Sequence, residues 1–179
     1  MKKRTVAFFF LAVLWLALLV TPSWGAPQYL GQSTWTITIT MSEKGTYSEP
    51  PSGTITMAIT RMGGTYYTVQ GYLIPTDGDG PFILAGGGVL IGETLYLNLS
   101  GTQKHTDQPN RDTEIMQVQL RKTTLNGTFY SVGRDFNLND AGPTPYFDSR
   151  FQAGTLTLTG SIINLSSNLA GPMLLLLDE

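Results

Sequence analysis

The stretch GQSTWTITIT, residues 31–40, decides the fold: threonine stands at every second position from Thr34 to Thr40, with Trp35, Ile37 and Ile39 between. Strict alternation of polar and apolar side chains places the two sets on opposite faces of an extended strand. Trp35, Ile37, Ile39 and Met41 then form an apolar wall, and Thr34, Thr36, Thr38 and Thr40 a hydroxyl wall. The pattern returns in GTITMAIT, residues 53–60, where Ile55, Met57 and Ile59 oppose Thr54, Thr56 and Thr60. It returns again in GTLTLT, residues 154–159, where Leu156 and Leu158 oppose Thr155, Thr157 and Thr159.

Working outward, runs rich in Thr, Ile, Val, Tyr and Phe, punctuated by Gly, Pro, Asp and Asn, predict eight strands near 33–41, 53–62, 65–74, 82–91, 93–100, 113–121, 125–132 and 151–160. No amphipathic helical pattern competes with them. The last strand shares the threonine face of the first two although it is remote in sequence. Closure explains this: in an all-β, eight-stranded antiparallel up-and-down (meander) barrel the last strand pairs with the first, and the threonine faces merge. An open sheet would leave two edges without the lysines or prolines that usually guard them.

Connections alternate in length. Those at 42–52, 75–81, 101–112 and 133–150 are long, whereas Gly63-Gly64, the region of Gly92 and residues 122–124 are tight turns. In a meander, alternate connections lie at opposite ends, so the long loops gather at one mouth. Trp35, at the start of its strand, belongs to the tight-turn end, where an inward indole plugs the base. Gly31 and Trp35 opening the first strand at the closed end resemble the calycin-type barrels, the lipocalins and avidin-like proteins. That resemblance implies a meander barrel holding a small, usually apolar ligand. The spacing here is G-x-x-x-W where lipocalins have G-x-W, and residues 161–179 lack the arginine that lipocalins pack against that tryptophan.

The inward face is expected to include Trp35, Ile37, Ile39, Met57, Tyr67, Val69, Leu97, Leu99, Met116, Val118 and Phe129, of which all but Leu99 and Val118 are the candidates for ligand contact. Glycines such as Gly71, Gly86, Gly88 and Gly127 signify space if they face inward and bends or bulges if they face outward. In AGGGVLIG, residues 85–92, both faces look apolar or empty, and no face is assigned. An eight-stranded barrel is just wide enough to be packed solid or to hold one small ligand.

The N-terminus begins with Lys2, Lys3 and Arg4, followed by an apolar run of 15 residues from Val6 to Val20 and small residues Ser23 and Gly25. This reads as a secretory signal cleaved after Gly25, too short to span a bilayer. The remaining 26–179 is expected to be a single exported domain, periplasmic or extracellular, with an irregular tail over about 161–179. The chain carries 11 Lys+Arg and 13 Asp+Glu; without the three signal cations the balance falls to eight against 13, near −5. Nothing basic remains to neutralise phosphates, which argues against nucleic acid as a partner. Absence of cysteine excludes disulfides and thiolate chemistry, and the single histidine, His105, excludes multi-histidine metal sites.

Other motifs read as ordinary surface. Asp77 and Asp79 in TDGDG, residues 76–80, lack the further oxygens of a calcium loop. His105 has Asp107, Asp112 and Glu114 near it but no serine elbow or paired-carboxylate spacing, so no catalytic constellation is seen and no cofactor or metal is implied. Arg134 and Asp135 in GRDFNLND, 133–140, stand at the mouth, where Arg134 meets either an anionic ligand group or a surface acid. Regular Thr-x-Thr rows suit an ice-facing plane only if flat, and a barrel wall is twisted. Asn98, Asn126 and Asn164 begin N-x-S/T triplets, which matter only in a glycosylating host.

The leading expectation is an exported soluble barrel that binds a small apolar or amphipathic ligand inside. Two alternatives stand beside it: an exported interaction or inhibitor protein meeting a protein partner with its long loops, and a small eight-stranded outer-membrane barrel. Strands of marginal spanning length and a threonine-rich rather than charged polar face weigh against membrane insertion.

Overall fold

In β1 (Gln28–Ser42) and β3 (Ser52–Gly63) the threonine rows lie side by side, because the antiparallel register sets Thr34 opposite Thr56 and Thr36 opposite Thr54. The Thr34 and Thr56 hydroxyls share a hydrogen bond of 3.0 Å. The computed structural model describes residues 26–42, 45–46, 52–76, 81–104, 111–137, 146–160 and 163–165. Residues 1–25, where a secretory signal is expected, Asp77 and Asp79, and His105 with Asp107 lie outside the described residues.

The remaining elements are β2 (Gly45–Thr46), β4 (Tyr66–Pro75), β5 (Phe82–Ile91), β6 (Thr94–Lys104), β7 (Arg111–Arg121), β8 (Gly127–Asn137) and β9 (Tyr146–Leu158). β2 is a two-residue extension paired to the end of β1. The other eight follow one another around a closed antiparallel meander in which β9 pairs with β1. That register sets Thr36 opposite Thr157 and Thr38 opposite Thr155, so the threonine wall is continuous across β9, β1 and β3. No helix occurs among the described residues.

Loop asymmetry is as expected. Tight turns at Gly64-Thr65, one residue on from the expected Gly63-Gly64, at Gly92-Glu93 and at 122–126 mark one end, while the β1–β3, β4–β5, β6–β7 and β8–β9 connections mark the other. Gly64 and Gly92 take φ of 53° and 59°, a left-handed conformation that favours glycine in two-residue turns.

Several strands run further toward the mouth than their apolar pattern: β6 to Lys104, β7 from Arg111, β8 to Asn137 and β9 from Tyr146. Residues read as loop in the sequence, among them Gln103, Asp112 and Arg150, therefore belong to the barrel wall. Met41 is a second correction. A register shift between Ile39 and Met41 reverses the alternation, turning Met41 outward and burying Ser42 in its place.

The candidate contact set lies where alternation put it. Trp35, Ile37, Met57, Tyr67, Val69, Leu97, Met116 and Phe129 are buried in one core cluster, and Ile39 is partly buried against it. Leu99 and Val118 join them. In β5, Phe82 and Leu84 are buried while Ile83 and Ala85 are exposed, which settles the glycine run: Gly86 and Gly88 lie on the inward side.

Inward glycines turn out to be corners and not spaces. A Cβ on Gly86 would collide with the Asn98 carbonyl oxygen, and one on Gly127 with that of Gln119. The clash is with the neighbouring strand's backbone, so only glycine lets the two strands bend this closely together.

Candidate functional site

The floor of the barrel forms first from Trp35. Its side chain is fully buried, and the indole Nε1–H donates a 2.7 Å hydrogen bond to the Leu125 carbonyl in the tight turn before β8. A buried indole needs such a partner. Leu125 sits at φ 56°, uncommon for a residue with a side chain, and is itself fully buried. Its turn is tied by Leu125 N–H to the Arg121 carbonyl (2.7 Å), and by Asn126, whose Oδ1 accepts from the Leu158 N–H at 2.8 Å. Beyond β9 the chain turns under the barrel, where Ile163 and Leu165 are buried against the core. Ile163 Cγ1 lies 3.8 Å from where a Cβ on Gly31 would be.

Above this floor the inward wall is aliphatic and aromatic through Met57, Val69, Leu97, Met116 and Phe129. Tyr67 is buried there, and burial raises its phenol pKa above the usual value of 10.0, opposed by the nearby Arg61 charge.

Character changes just below the long-loop mouth. Gln103, Asp112, Glu114 and Ser131 are all buried, on β6, β7 and β8. Their positions continue the inward alternation: Asp112, Glu114, Met116, Val118 and Leu120 form one buried row along β7. Arg150 of β9 completes the layer. It is the cross-strand partner of Gly133, and a Cβ on Gly133 would meet both Cγ and Nε of Arg150 at 3.1 Å. The arginine side chain thus lies across the glycine, toward β7 and the lumen. There its Nη2 is 3.9 Å from Asp112 Oδ2, and its guanidinium carbon is 5.8 Å from the centre of the Phe82 ring. Asp112 is 8% exposed at its side chain and Arg150 28%.

The arrangement is a buried apolar interior with a charged collar above it. Known families, curated proteins and solved structures hold no match to this chain. The collar must therefore be interpreted from its own chemistry. Among the described residues no group of three or more His, Asp or Glu side chains could hold a metal ion.

Sequence reasoning located the inward apolar rows and missed the collar. Asp112 read as a loop acid and Glu114 as an acid at the start of a strand, both near His105, whereas both are buried wall residues. Arg134, the cation singled out for the mouth, is exposed on the outside of β8, because Gly133 and Ser131 take the inward positions. Arg150 fell in a segment read as loop. An inward-phase reading of β7, extended upstream from Leu120 by twos, would have reached Glu114 and Asp112.

Proposed function

We propose that this protein is an exported, water-soluble barrel that receives a small apolar or amphipathic molecule into its interior through the long-loop mouth. The observation that carries the reading is the charged collar, Asp112, Glu114 and Arg150, placed inside the barrel directly above the buried apolar interior that would form the ligand's well. Burying charge costs stability, and a wall built only for packing would carry apolar residues at these positions. A ligand with a polar end and an apolar body matches the layering. The calycin-type expectation, an interior ligand in a meander barrel, points the same way.

Wall orientation supports a water-facing barrel over a lipid-embedded one. Outward positions include exposed Gln70, Asn98, Gln117, Gln119, Thr128 and Thr155, and the exposed apolar residues Ile83, Ile115, Tyr130 and Val132, on β5, β7 and β8, form no band around the barrel. A membrane barrel needs the reverse.

Trp35 is the sole tryptophan beyond residue 25 and reports on the floor. The test titrates purified 26–179 with a neutral hydrophobic fluorophore. Saturable one-to-one binding that perturbs Trp35 emission and the NMR signals of Phe82 and Phe129 is expected. Binding confined to outer-wall residues, or no binding to any hydrophobic probe, overturns the reading.

A further inference from the structure

We propose that the molecule admitted to the well is a cationic amphiphile, and that the Arg150 guanidinium occupies the place of its head group in the ligand-free barrel. This rests on the interior-binding reading above.

Three wall elements converge on that guanidinium. β5 supplies the Phe82 ring at 5.8 Å, β7 supplies the Asp112 carboxylate at 3.9 Å, and Gly133 of β8 leaves the gap over which the side chain lies. An aromatic face combined with a carboxylate is the pairing that holds a cation, through the ring quadrupole and direct charge attraction. The protein's own structure demonstrates it with a cation of its own. The cradle is therefore defined by an occupant and not only by its charge.

Charge in the surrounding wall selects the same sign. Glu114 is buried two residues from Asp112 on the same inward row. Two carboxylates that close repel one another, and a cation relieves them where an anion adds to the repulsion. An anionic amphiphile would have to bring its head beside both buried carboxylates.

Exchange is physically simple. Arg150 is the most exposed member of the cradle, at 28% against 8% for Asp112, and its long side chain springs from the mouth end of β9. Swinging outward, it keeps its charge in water while an incoming ammonium takes the ring and the carboxylate. One cation replaces another, so the net gain comes from the apolar tail entering the well.

The experiment compares three twelve-carbon probes, each below its micelle concentration, on 26–179 by calorimetry: dodecyltrimethylammonium, dodecyl sulfate and the neutral dodecyl maltoside. The unsubstituted protein is expected to favour the ammonium over the sulfate by about tenfold or more, equivalent to ~1.4 kcal/mol. Arg150→Met empties the cradle and is expected to tighten the ammonium roughly fivefold to tenfold while moving the maltoside less than about twofold. Arg150→Lys, which retains a cation, should stay near the unsubstituted protein, and Asp112→Asn should abolish the charge preference. Equal or stronger binding of the sulfate by the unsubstituted protein overturns the cationic assignment and leaves interior binding intact. Failure of all three probes overturns interior binding itself. If Arg150→Met does not fold, the charge preference of the unsubstituted protein still decides.

Discussion

At the floor, Trp35, Leu125, Ile163 and Leu165 shut out water with apolar volume and one indole hydrogen bond; at the mouth, β7 buries Asp112 and Glu114, and Arg150 of β9 lies beside Asp112. Apolar volume is irreplaceable where it stands, because removing it leaves a hole. A buried ion pair is different. Desolvation offsets its attraction, so well-packed apolar substitutes are often neutral or stabilising. The floor therefore secures the fold, and the mouth spends stability on chemistry.

The largest expected effect tests the floor. Trp35→Ala should destabilise 26–179 by about 3–5 kcal/mol in urea unfolding, since it creates a cavity and leaves the Leu125 carbonyl without its indole donor. A cost below about 1 kcal/mol would remove the distinction between the ends. Next comes the mouth: Asp112→Leu combined with Arg150→Met should leave stability unchanged or raise it by about 1–4 kcal/mol, as for other buried pairs replaced together. A loss as large as that of Trp35→Ala would make the collar structural. Smallest is Thr36→Val on the outer threonine wall, expected within about 0.5 kcal/mol by the same measurement. A large effect there would mean that the hydroxyl ladder, and not the interior, holds β1 to its neighbours.

The legible parts of the molecule were those with a period. Two-residue alternation located the inward rows of β1, β3 and β9, and the shared threonine face implied that β9 closes on β1, as it does. Loop lengths placed the long connections at one end. What escaped was whatever breaks the period or disguises it. Polar residues at inward positions made the upper parts of β6, β7 and β9 resemble loops, which hid Gln103, Asp112 and Arg150. One extra residue in β1 reversed Met41 and Ser42. Glycine carries no polarity to place on a face, so Gly86 and Gly127 could be read as space until the backbone of the next strand was seen against them. Ile163 and Leu165 follow the last alternating run with no period of their own.

The seam between β9 and β1 also governs when the barrel can exist. Its contacts join residues as far apart as Thr34 and Thr159, 125 positions along the chain. Closing so long a segment carries the greatest loop-entropy cost in the molecule and makes closure late and slow. During synthesis, β1 emerges first and waits for its partner until nearly the whole sequence has been made. Through that interval its alternating wall remains an unpaired edge, open to chaperones and to aggregation alike. A chain that cannot close early also stays threadable for longer, which suits the export proposed above. The order of strands thus sets a clock on folding as well as a shape.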